Sequence, residues 1–197
     1  MKKLFILISR FYLVFIAELQ LVLLGVTKRK NYKVILLEMD LQSTAMYLMS
    51  SLGVIDRADF AVFIGTGLEN SEVSKYLQWL KAWSRAGNGI PILVTKRKLP
   101  CNDPEYKAIH VAHIVRRTYG RRSFPACEIW LGATLEKIDN VKFPRINKTV
   151  FVYPFLNFKV SKYDIEQVRY TEVLSRANCL RWMEKNGFLL PTNITWI

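Results

Sequence analysis

A short turn between a predicted strand and a predicted helix carries residue types that bind phosphate. Gly65-Thr66-Gly67 follows a run of apolar residues, and Ser71 begins a stretch with helical spacing. Glycines let backbone N–H groups approach an anion closely, and the start of a helix is its positive end. The turn lacks the third glycine of the dinucleotide fingerprint and the Lys-Ser/Thr of a P-loop, and two nearby glutamates would repel an anion. It is therefore either an anion-binding turn or a purely structural one.

Two acids follow the preceding predicted strand. Glu38 and Asp40 end the run VILLEMD, where a carboxylate can act as an acid or base or hold a ribose hydroxyl. No partner base is identifiable, so acids that merely end a strand are the alternative. In a parallel sheet, ligands bind beyond the carboxyl ends of the strands. The candidate ligand-binding residues at this edge are Ser9, Arg10, Asp40, Gly65, Thr66, Gly67 and Ser71.

Four arginines, two before Tyr119 and two after it, form a second candidate site. Such a basic patch binds phosphates while the aromatic ring stacks on a base. Cations that complement the carboxyl end of a helix are the alternative explanation. The patch comprises Arg116, Arg117, Arg121 and Arg122.

The histidines and cysteines do not predict a metal site. His110 and His113 lie one helical turn apart, which suits two metal ligands, but no third ligand has a recognised spacing. The three cysteines are far apart and form no CxxC pair, so neither a zinc site nor a disulfide framework is indicated. We expect an intracellular, reducing compartment, and the sequence identifies no cofactor.

Size and charge limit the class of protein. The 197 residues, of which 51% are hydrophobic, are enough for a single domain over residues 1–197. A formal charge of +13 favours an anionic partner, either nucleic acid or a membrane surface, or a place in a larger assembly. Solubility alone would also account for the charge.

Residues 4–26 are almost continuously apolar, which is typical of a membrane anchor. However, Glu18 lies near the middle, where a carboxylate is costly, and both flanks are basic, so no orientation follows. We favour the alternative, in which residues 1–27 form a first strand at residues 3–9 and an apolar helix at residues 11–27. Membrane association through residues 4–26 is the competing hypothesis.

The rest of the chain alternates between strands and helices. Further strands are predicted at residues 34–40, 59–64, 90–95, 127–131 and 150–155, and helices at residues 42–52, 71–86, 103–119 and 161–186. Pro154 assigns the last strand to a sheet edge, because proline donates no ladder hydrogen bond. The alternation predicts an α/β fold with three layers: a doubly wound, mostly parallel sheet of five or six strands, with a long C-terminal helix.

The order of these motifs resembles the TIR domain and its flavodoxin-like relatives. The matching residues are Ile8-Ser9, Asp40-Leu41, Ser71 and Ile90-Pro91-Ile92, all in the first half of the chain. Enzymatic TIR domains use a helical glutamate on NAD, and its position here falls near Gln78, which has no carboxylate. The resemblance therefore implies a scaffold or ligand sensor rather than a hydrolase.

Three functions follow as hypotheses. The first is a non-catalytic binding or scaffold module that recognises a nucleotide-like or phosphorylated ligand at the carboxyl edge of the strands. The second is a basic interaction subunit of a ribonucleoprotein or membrane-associated assembly, which the charge and residues 4–26 favour. The third is a glycosyl- or deoxyribosyl-transfer enzyme that uses Glu38, Asp40 or Glu72. We favour the first, because the sequence has no specific catalytic signature.

Overall fold

The computed structural model describes residues 31–65, 69–87, 89–96, 104–119, 126–133, 146, 148–161, 165–168 and 174–188. The strands are β1 (Asn31–Leu36), β2 (Phe60–Gly65), β3 (Ile92–Lys96), β4 (Ala126–Trp130), β5 (Thr149–Tyr153), β6 (Phe158–Val160) and β7 (Ile165–Gln167). The helices are α1 (Leu41–Ser51), α2 (Ser71–Arg85), α3 (Pro104–Tyr119) and α4 (Arg176–Lys185), and a 3-10 turn spans Pro154–Leu156.

The seven strands form one mixed sheet in the order β3-β2-β1-β4-β5-β6-β7. The first five of these are mutually parallel, whereas β6 and β7 continue the sheet in antiparallel register. The chain adds β2 and β3 on one side of β1 and then crosses to the other side for β4 and β5. The strand order therefore reverses between β1 and β4, and the carboxyl ends of these two strands form the topological switch point.

Helices cover both faces of the sheet and complete the predicted three-layer α/β fold. Side chains alternate along β1, so Ile35 joins one hydrophobic cluster while Val34 and Leu36 join the other. The first cluster contains residues of α1, α2 and α4, and the second contains residues of α3. Both faces of the parallel strands are thus buried, which explains why their sequences read as apolar runs.

Helix α1 is buried along its whole length, including its five polar residues. The serine side chains among them bond to the backbone of neighbouring segments. Ser50 Oγ donates to Asp56 O and accepts from Ala58 N, and Ser51 Oγ accepts from Ile90 N. These bonds explain why a core helix carries serines, because each one satisfies a buried backbone group.

The last third of the chain differs from the sequence prediction. β5 lies between β4 and β6 and is not an edge strand, because Pro154 falls in the 3-10 turn just after β5, where no ladder bond is needed. Among the described residues the sheet has seven strands, where the sequence predicted five or six.

The predicted C-terminal helix over residues 161–186 is wrong in its first half. Residues Ile165–Gln167 pair with β6 as β7, and the helix begins only at Arg176. Ser175 caps it in a capping box with Asn178, which gives the helix a defined start. The apolar spacing of Ile165 and Val168 matched a helical period by coincidence, since Ile165 is exposed.

Several predictions fall outside the described residues and stay predictions. They concern the strand at residues 3–9, the helix at residues 11–27 and the candidate residues Ser9, Arg10, Thr66, Gly67, Arg121 and Arg122. In the part of the chain that the structure describes, no helix combines the length and apolar character needed to cross a membrane.

Candidate ligand site at the carboxyl edge

Gly65 ends β2 at the carboxyl edge, directly beside the end of β3. It is in register with Lys96, and a Cβ added at Gly65 would lie 3.8 Å from Lys96 Cγ and 3.5 Å from Thr95 O. The aliphatic stem of Lys96 therefore passes next to Gly65. Lys96 is exposed, whereas Gly65 is buried. Lys96 was not among the ligand-binding residues chosen from the sequence. Lys96 lies beside Gly65 because β2 pairs with β3 in this register, and the register could not be predicted from the sequence.

Helix α2 starts six residues after Gly65, at the same edge of the sheet. Asn70 is the N-cap, and its side-chain oxygen accepts a hydrogen bond from Val73 N at 2.8 Å. Ser71 is thus the first helical residue and is exposed. The carboxylate of Glu72 pairs with Lys75 Nζ at 3.1 Å, so its charge is balanced within the first turns of the helix.

The start of α1, at the switch point, is closed by the protein's own groups. The Asp40 carboxylate accepts a hydrogen bond from Ser43 N at 2.8 Å and caps the helix, and Ser43 Oγ accepts from Glu38 N at 3.1 Å. Met39, between the two acids, has a left-handed φ of 62°. A carboxylate already occupies the positive end of α1, so an anion would be repelled there.

Gly132 adds a steric reason for this closure. It follows β4, and a Cβ at Gly132 would lie 2.5 Å from Ser43 N. The segment after β4 therefore packs directly on the backbone of the first turn of α1. The Asp40 cap and the segment after β4 therefore fill the switch point with the protein's own groups.

A partly buried ion pair ties α3 to the end of β1. Lys107 Nζ lies 3.0 Å from Glu38 Oε1, and the two side chains are only 11% and 17% exposed. This pair gives Glu38 a role in the fold, because it links residues 69 positions apart in the chain.

Three buried hydroxyl groups make no hydrogen bond with the described residues: Thr44 Oγ1 in α1, Tyr76 Oη in α2 and Thr95 Oγ1 in β3. Thr95 follows Leu93 on the sheet face that packs against α3, whereas Lys96 follows Val94 on the opposite face. The Thr95 hydroxyl and the Lys96 ammonium therefore do not converge on one ligand.

The described part of the basic patch, Arg116 and Arg117, lies at the other edge of the sheet. α3 runs from the carboxyl end of β3 back to the amino end of β4, so Arg116 and Arg117 in its last turn are at the amino edge. They are not brought together with Gly65. His110 is half-buried and His113 exposed on the same helix, and among the described residues no group of three potential metal ligands occurs.

Two core tyrosines have perturbed acidities. Burial raises the pKa of Tyr47 to about 12, although hydrogen bonds with Ser84 and Ser51 oppose the shift. Burial also raises the pKa of Tyr76. Both phenols are protonated at neutral pH and so do not serve as bases.

No protein-family model matches the chain, and no curated protein sequence matches it.

Proposed function

We propose that this chain is a non-catalytic α/β binding module that recognises a nucleotide-like or other phosphorylated ligand at the carboxyl edge of its parallel strands. The observation that carries the proposal is the position of Lys96, exposed and with its stem 3.8 Å from the Cβ position of Gly65. An ammonium group at this place supplies positive charge for phosphate oxygens.

The start of α2 supports the same location. Asn70 satisfies one of the free N–H groups of the first turn, and the helix dipole favours negative charge there. Glu72 does not cancel this preference, because Lys75 pairs with it at 3.1 Å. The pair is largely exposed, so it contributes little to stability and can adjust to a ligand.

The contacts of three acids favour a binding module over a transferase. Glu38 pairs with Lys107, Asp40 caps α1, and Glu72 pairs with Lys75. The carboxylates of Glu38 and Asp40 are therefore engaged in holding the fold, and that of Glu72 is paired on the surface of α2. A general base would instead need to reach a substrate proton.

Thermal unfolding in the presence of nucleoside mono-, di- and triphosphates and of inorganic phosphate tests the proposal. A ligand at about a hundred times its Kd should stabilise the protein by about 2.7 kcal/mol and raise the melting temperature by about 5–10 °C. Lys96→Gln should raise the Kd of the ligand about tenfold, because a charge-assisted contact is lost.

Lys185→Gln is the matched control, since it removes the same charge from the last turn of α4. That turn is followed by Phe188, whose ring packs on Trp83 near the end of α2, far from the start of that helix. The absence of stabilisation by any phosphate compound would contradict the proposal. An unchanged Kd in Lys96→Gln would contradict the assigned location.

A further inference from the structure

An open cleft lies at the amino edge of the sheet, opposite the carboxyl edge at which Gly65 lies. Its volume is about 220 Å³. Pockets for drug-sized ligands have volumes of roughly 300–1,000 Å³, so this cleft suits a smaller molecule, such as a free amino acid. The cleft is lined by Asn31, Tyr32, Lys33, Arg57, Asp59 and Glu128.

Arg57 brings unused hydrogen-bond donors to this cleft. Its Nη1 donates to Ser51 O at 2.9 Å, which anchors the side chain at the end of α1. A guanidinium has five N–H donors in a planar fork. The other donors of Arg57 make no bond with the described residues, so the fork can receive a carboxylate.

Glu128 brings an under-bonded carboxylate to the same cleft. Its side chain is only 25% exposed, and its contacts are Trp130 Nε1 at 3.5 Å and Lys159 Nζ at 3.6 Å. Good bonds between an ammonium and a carboxylate are about 2.7–2.9 Å long. The carboxylate therefore has capacity for a closer cationic donor.

The other charges that line the cleft already have short contacts. Lys33 Nζ pairs with Asp56 Oδ2 at 2.8 Å, and Asp59 Oδ2 accepts a hydrogen bond from Lys33 N at 2.8 Å. What remains available is one fork of donors on Arg57 and one acceptor on Glu128. These two groups have opposite charge.

We propose that the amino-edge cleft binds a small zwitterion, with the ligand carboxylate on the Arg57 guanidinium and the ligand ammonium on Glu128. The volume fits a molecule of amino-acid size. The site is separate from the carboxyl-edge site of the proposed function and does not depend on it.

Calorimetric titration with glycine, β-alanine and γ-aminobutyrate tests the proposal and finds the charge separation that fits best. At least one of the three should bind, whereas N-acetylglycine and glycinamide, which each lack one charge, should bind at least about tenfold more weakly. Arg57→Lys, which keeps the charge but loses the fork, and Glu128→Gln, which keeps the shape but loses the charge, should each weaken the best zwitterion by about tenfold or more.

Lys75→Gln is the control for a lost surface cation, because Lys75 is 72% exposed on α2 and does not line the cleft. It should leave zwitterion binding unchanged. Failure of all three zwitterions to bind the wild type overturns the inference, as does unchanged binding in both cleft variants. The phosphate response of Arg57→Lys should equal that of the wild type, so failure of this inference is distinguishable from failure of the proposed function.

Discussion

Gly132→Ala should destabilise the protein strongly, because an added methyl group has no room. A Cβ at Gly132 would lie 2.5 Å from Ser43 N, 2.8 Å from Ser43 Cα and 2.9 Å from Gln42 C. All three atoms belong to the backbone at the start of α1, which the Asp40 cap holds in place. Relief requires a shift of the helix or of the segment after β4, since no side chain can rotate away.

The size of the expected loss in the free energy of unfolding depends on which atoms the new methyl group contacts. Forcing an extra methylene into a packed site costs about 1–3 kcal/mol, and contact with backbone atoms on one side places Gly132→Ala at about 3 kcal/mol. In a domain of about 200 residues each kcal/mol lowers the melting temperature by about 2–4 °C, so the variant should melt about 6–12 °C below the wild type.

Gly65→Ala is the matched control. Gly65 also lies at the carboxyl edge, but the atoms nearest to a Cβ added there would be 3.5 Å or more away. Neither glycine has a positive φ, so the comparison isolates the available space. Thermal melts followed by circular dichroism give both values. If the two variants melt within about 2 °C of each other, the close packing of Gly132 on α1 does not stabilise the fold and the reasoning is refuted.

Further predictions concern buried polar groups. Tyr76→Phe should raise the free energy of unfolding by about 1 kcal/mol, because it removes a buried hydroxyl that makes no hydrogen bond with the described residues. Tyr47→Phe should lower the free energy of unfolding by about 1 kcal/mol, because Tyr47 donates a hydrogen bond to Ile90 O at 2.9 Å. Urea unfolding at neutral pH measures both, and equal effects would contradict the assignment. The stability of the wild type should fall as the pH rises from about 10 towards 12, because unfolded Tyr47 loses its proton near pH 10 and the folded phenol has a pKa of about 12. Urea midpoints across this range should decline less steeply in Tyr47→Phe, and an identical slope would refute the assignment to Tyr47. Lys107→Met should cost about 2 kcal/mol, because it removes the ammonium 3.0 Å from the partly buried Glu38 carboxylate, and adding Glu38→Gln should restore most of the loss. A double variant no more stable than Lys107→Met would show that the pair does not carry the effect.

The local parts of the fold were predictable because their causes lie close together in the sequence. The strand before Gly65, the cap and start of α2 and the alternation of strands with helices all follow from spacing and capping within a few residues. Asp40 was predicted to end a strand over residues 34–40, but β1 ends at Leu36 and Asp40 caps α1 instead. Its bond to Ser43 N lies within one turn of α1.

The errors arose where local signals compete with pairing. The apolar spacing in residues 161–186 matches a helix, but three exposed residues there gain backbone hydrogen bonds by joining β6. Pro154 does not exclude an interior strand, because β5 ends at Tyr153 and Pro154 lies in the 3-10 turn that follows. Local spacing therefore could not decide either boundary.

The sequence by itself determined the class of the fold, the start of α2 and the presence of polar groups near strand ends, because side-chain period and capping act over a few residues. The tertiary structure alone decided the strand order, the pairing of Glu38 with Lys107 and the packing of Gly132 on Ser43. It also placed Lys96 beside Gly65 and brought Arg57 and Glu128 to one cleft. These contacts join distant segments whose relative positions depend on how the whole sheet buries its two faces, and so the candidate sites could be located only once the sheet was assembled.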